Sequence, residues 1–76
     1  MLWRGKVIPV TLDPGTGRWS AFYGDYQPSE PYAPDVIAAL LDLAGKDGWE
    51  LVTVVPAESQ LGSKQFLMFF KCPAGG

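Results

Sequence analysis

The sequence predicts a single small α+β domain, with one helix packed on a small, mainly antiparallel sheet of three to four strands in the order β-(β)-α-β-β. Three observations carry that expectation. Residues 34–45 repeat apolar side chains at helical spacing. Residues 49–55 and 66–71 are β-favouring runs, each stopped by a proline. The whole chain has 76 residues, enough for one domain.

Taken in order, the stretch from Leu2 to Leu12 is β-like, with Trp3, Val7, Ile8 and Val10. Pro9 has no N–H for a ladder, so that side of it should face away from a neighbouring strand. Pro14-Gly15 suits the two central positions of a type II turn. Arg18 to Tyr23 then alternates large and small side chains and returns as a second strand, making a hairpin over 2–23. Residues 24–33 hold Pro28, Pro31, Gly24, Asp25 and Ser29, the composition of a loop, and its Tyr26 and Tyr32 are expected to lie against the domain. Pro34 opens the helix and Asp35 meets the positive end of its dipole. Val36, Ile37, Leu40, Leu41, Leu43 and Ala44 form its stripe, and Gly45 is expected to end it in the left-handed conformation. A strand over 49–55, a polar loop over 57–65, a strand over 66–71 and a tail over 72–76 complete the chain.

Composition narrows the function. A domain this short buries only ~60% of the surface its unfolded chain exposes. With a single cysteine, Cys72, and no histidine, neither an internal disulfide nor a structural zinc site is expected. Stability must come from packing or self-association, and 47% hydrophobic residues suit both. Six basic residues scattered singly, under a net charge of −2, argue against nucleic acid as a partner. No signal-like start and no bilayer-length apolar run are visible, so a cytoplasmic protein with no membrane partner is expected. Catalysis is not expected either. Cys72 has no histidine to activate it, the carboxylates are not paired by spacing, and Gly15-Thr16-Gly17 lacks the helix of a phosphate loop. No cofactor or metal is implied.

The two C-terminal strands carry the sharpest signal. Alternate side chains of a strand point to opposite faces. Phe66, Met68 and Phe70 fall on one face, Leu67 and Phe69 on the other. In the preceding strand Trp49, Leu51, Thr53 and Val55 oppose Glu50, Val52 and Val54. Both strands are apolar on both sides, whereas a sheet with one wet face alternates apolar and polar. One helix covers one face. The other needs the N-terminal hairpin, the tyrosine-bearing loop or a second copy of the chain. The expectation is a homo-oligomer packed through the face opposite the helix, with Phe66, Met68, Phe70, Trp3 and Trp19 as candidate interface residues.

At the helix–turn–strand junction the run Leu40-Leu41-Asp42-Leu43-Ala44-Gly45-Lys46-Asp47-Gly48-Trp49-Glu50-Leu51-Val52-Thr53-Val54 resembles the Gly-Trp-Glu-Leu-Val motif of the domain of unknown function 4177 family, short bacterial and phage proteins. The opening Leu2-Trp3-Arg4-Gly5-Lys6-Val7 and the closing Phe70-Lys71-Cys72-Pro73 are similar to that family's ends. The resemblance implies a β–α–β–β arrangement of one helix on a small antiparallel sheet, and no known activity. Two departures are Ala44 before the glycine and the long 13–33 segment. The physical reading of Gly45, Gly48, Trp49 and Glu50 is structural: two glycines release the turn, and Trp49 plugs one end of the helix–sheet core.

The leading expectation is thus a non-enzymatic binding or assembly module, with a protein partner or a second copy. An alternative is a ubiquitin-like or sulfur-carrier protein activated at its Gly75-Gly76 end, since a tail without side chains threads into a narrow activating site. Another is a small-ligand-binding oligomer whose pocket forms between protomers from aromatic residues such as Trp3, Trp19 and Trp49.

Overall fold

The computed structural model describes residues 2–58 and 63–74. Its elements are β1 (Trp3–Asp13), β2 (Arg18–Ser20), β3 (Ser29–Glu30), α1 (Ala33–Lys46), β4 (Glu50–Glu58) and β5 (Lys64–Pro73). The strands form one five-stranded sheet in the order β3-β2-β1-β5-β4. Every pairing is antiparallel. The fold is α+β as expected, with more strands than the three to four the sequence suggests.

The N-terminal hairpin forms with different turn chemistry. Gly15 does not adopt a positive φ, so the type II turn is absent; Gly17 takes φ 71° instead. The Gly17 amide donates to the Asp13 carbonyl at 2.8 Å, and the Gly15 amide donates to Asp13 Oδ1 at 2.8 Å. An aspartate that bonds the backbone two residues on supports the turn here. Along β1, strand β2 pairs only with Thr11–Asp13. Pro9 therefore lies where β1 has β5 on one side and no strand in register on the other. The loop expected over 24–33 contributes β3, which pairs Trp19 with Glu30 and Ser20 with Ser29. Tyr26 and Tyr32 do not lie flat against the domain; they are 51% and 68% exposed.

The helix begins one residue before Pro34 and runs through Gly45 to Lys46. Gly45 is thus a helical residue and not the left-handed stop. That conformation falls to Gly48, at φ 86°, after Asp47 ends the helix with its amide on the Ala44 carbonyl. Ala33, Val36, Leu40 and Ala44 are buried, at the i, i+3, i+7, i+11 spacing of a single stripe. Val36, Leu40 and Ala44 pack on Ile8 and Val10 of β1 and Met68 and Phe70 of β5, with Ala21 completing the core. No polar or charged side chain is buried among the described residues.

Both C-terminal strands outrun their expected bounds. β4 continues through Pro56 to Glu58, and β5 starts at Lys64 and includes Pro73. Proline ends a strand only where its missing N–H would have been needed; β4 is the sheet edge. A β-bulge at Val52 also breaks strict alternation. Leu51 pairs with Phe70, yet Thr53 pairs with Phe69, so one extra residue is inserted. Leu51 and Val54 thereby share the helix side, and Thr53 and Val55 face the other way. The sequence expectation placed Leu51 with Thr53 and Val55.

Candidate functional site: the open face of the sheet

Antiparallel partners directly opposite each other point to the same side. The register therefore sorts the sheet into rows. On the helix side lie Lys6–Phe70–Leu51, Ile8–Met68–Val54 and Val10–Phe66–Pro56. On the opposite side lie Trp3–Pro73, Gly5–Lys71–Glu50, Val7–Phe69–Thr53, Pro9–Leu67–Val55 and Thr11–Gln65–Ala57.

This placement corrects the candidate interface. Met68 is fully buried and Phe70 is 3% exposed, both under the helix, and Phe66 packs beside them. Met68 and Phe70 are core residues of one protomer and present no surface, and Phe66 is partly buried on that same helix side. The reason is parity: β5 meets β1 so that its even-numbered residues share a side with Ile8 and Val10. Trp19 also belongs to the helix side, half-buried, with its ring 5.3 Å from that of Phe66. Of the five candidates only Trp3 lies on the open face, 50% exposed.

The general expectation of two apolar faces and one helix holds, with the faces exchanged. The open face has an apolar centre of Val7, Pro9, Leu67, Phe69 and Val55. Val7 is 50% exposed, while Leu67, Phe69 and Val55 are partly buried. Among the described residues, no segment outside the sheet covers this centre. The β1–β2 hairpin extends the same sheet, and the tyrosine-bearing loop joins its edge as β3. The thinnest dimension of the molecule, 18 Å, fits one helix layer on one sheet.

The polar groups of the face sit at its two ends. Lys71 Nζ lies 4.5 Å from the centre of the Trp3 ring, a cation–π contact, with Glu50 across from Lys71 in the register. Thr11, Gln65 and Ala57 mark the other end.

Other clusters are structural. On the helix side Lys6 Nζ lies 4.9 Å from the Tyr23 ring centre and 4.8 Å from that of Trp49. The Tyr23 hydroxyl donates to Asp47, which ties the 23–26 turn to the helix end. Burial of the ring, then the hydrogen bond to Asp47 and its negative charge, push the Tyr23 phenol up to about 12. The Trp49 amide donates to the Ala44 carbonyl at 2.9 Å, so Gly48 and Trp49 close the helix against β4. Glu50, by contrast, is exposed and points to the open side. A cleft of about 590 Å³ lies where the sheet outruns the helix, lined by Trp19, Pro56, Glu58, Lys64 and Phe66 among others.

Trp3, Trp19 and Trp49 thus occupy three separate places, on the open face, at this cleft and at the helix end, and form no common pocket within a protomer. Gly75 and Gly76 of the carrier alternative lie outside the described residues. Among the described residues no three His, Cys, Asp or Glu side chains gather to hold a metal ion, and no helix is long and apolar enough to cross a membrane.

In fold class the chain is a small α+β domain with one helix on a five-stranded antiparallel sheet. No protein-family model, no curated protein and no solved structure matches it.

Proposed function

We propose that the chain is a non-enzymatic assembly module that associates with a second copy through the open face of its sheet. The observation that carries this is the uncovered apolar centre, Val7, Pro9, Leu67, Phe69 and Val55, in a domain whose other elements are all committed elsewhere. Size supports the same occupant. Strands of nine to eleven residues span about 30–37 Å, and three of them side by side about 15 Å. The projected face is about 500 Å², and ridged side chains raise its accessible area toward the ~800 Å² per partner of a standard interface. An open sheet face also has a natural complement in a second sheet face, stacked ~10 Å away. The resemblance at Gly48-Trp49-Glu50-Leu51-Val52 belongs to this reading as scaffold, since it builds the helix–strand junction behind the face.

Native mass spectrometry and light scattering across a dilution series test the proposal. A dimer of twice 8.3 kDa that dissociates on dilution is expected. An 8.3 kDa species at every concentration refutes it, and a complex only with a different protein assigns the face to another partner.

A further inference from the structure

The open face also constrains how a second copy sits on it. We infer that the two sheets stack with their strands antiparallel, about a two-fold axis that crosses the strands between the Val7–Phe69–Thr53 and Pro9–Leu67–Val55 rows; this rests on the self-association proposed above.

The face is uneven along its strands. One end carries the bulk and the charge: Trp3, with Lys71 over its ring, and Glu50 beside them. The other end carries Thr11, Gln65 and Ala57, all uncharged. Well-packed layers set large side chains against small ones.

Two ways of stacking identical sheets by a two-fold axis differ in what meets what. With the axis along the strands, like ends meet. Two tryptophans and two lysines then crowd one end, the partner's Lys71 faces Lys71, and a gap opens over Thr11 and Ala57. With the axis across the strands, β1 lies over β1 and β5 over β5 in opposite directions. Gly5 then faces the partner's Thr11, Lys71 faces the partner's Gln65, and Phe69 faces the partner's Leu67. Charged side chains meet uncharged ones at both ends, the apolar rows meet at the centre, and the ammonium of Lys71 finds an amide oxygen in place of another ammonium. Stacked sheets of twisted strands cross at about 30°, which keeps these pairings at the centre and loosens them at the corners.

Cross-linking between single-cysteine variants tests the orientation. The parent is Cys72→Ser, which removes the chain's only native thiol. Gly5→Cys is well tolerated on its face, because an added Cβ there meets nothing within 4 Å. Thr11→Cys and Lys71→Cys complete the set, with a bismaleimide long enough to bridge sheets ~10 Å apart. A mixture of Gly5→Cys and Thr11→Cys should give a linked dimer, while neither variant alone and not Lys71→Cys alone should do so. A Lys71→Cys chain that links to its own copy overturns the antiparallel arrangement and leaves the dimer standing. A dimer that links through none of these sites overturns it as well. If the parent itself stays at 8.3 kDa by light scattering, the self-association beneath the inference has failed, which is a separate and distinguishable result.

Discussion

Met68 and Phe69 are sequence neighbours on opposite sides of one strand, so replacing each by alanine separates folding from assembly. Phe69 is partly buried within the protomer. Fully burying such a side chain contributes about 1.5–3 kcal/mol, and no more than about a third of Phe69 is left for a partner to cover, so that part contributes at most about 0.5–1 kcal/mol. A two-fold interface loses it twice. Phe69→Ala should therefore weaken dimerisation by up to about 1–2 kcal/mol, a rise in Kd of up to about 5- to 30-fold. Met68 is fully buried under the helix, and Met68→Ala should lower fold stability by about 2–5 kcal/mol. Sedimentation equilibrium over a concentration series reads the first effect, and urea unfolding of dilute protein reads the second. Phe69→Ala with an unchanged Kd, or with a loss of stability equal to that of Met68→Ala, would refute the assignment of the two faces.

Three further outcomes follow from the same geometry. Gly48→Ala should cost about 1–2 kcal/mol of stability, because φ 86° is strained for any residue with a Cβ; Gly45→Ala, in an exposed helical position with open space around an added Cβ, should gain up to about 1 kcal/mol. Thermal melts of the two variants check this contrast. Tyr23 has a folded-state pKa of about 12 against an ordinary 10.0, so its contribution is complete below pH 10 and fades as pH rises through 12; in Tyr23→Phe the unfolding free energy should fall less steeply across that window. Lys6→Ala removes the cation held between Tyr23 and Trp49 and should lower stability by about 1 kcal/mol, with a change in tryptophan fluorescence as the ring of Trp49 is released.

The helix was legible because its stripe is long and regular; Val36, Leu40 and Ala44 fall where helical spacing puts them. The apolar character of both sides of β5 was legible too, since Phe66 to Phe70 leaves no polar position to mark a wet face. Which side meets the helix was not. That depends on the register of β5 against β1, and two apolar sides give the pattern nothing to choose between. The bulge at Val52 escaped for a related reason: one extra residue in Leu51–Val55, all apolar or threonine, leaves no trace in the pattern. β3 is two residues long in a proline-bearing loop, where local propensity predicts no strand and only pairing with Trp19 and Ser20 makes one. Pro56 and Pro73 were expected as stops; tertiary pairing overrides them at positions where the ladder does not need their N–H.

Methyl carbon–proton NMR of the wild-type chain over a wide dilution series tests the central claim most directly. Covering of the open face by a second copy predicts concentration-dependent shifts for Val7, Val55 and Leu67, while Val36, Leu40 and Met68 stay fixed. Spectra that do not change with concentration, or changes confined to the cleft around Trp19, would contradict it.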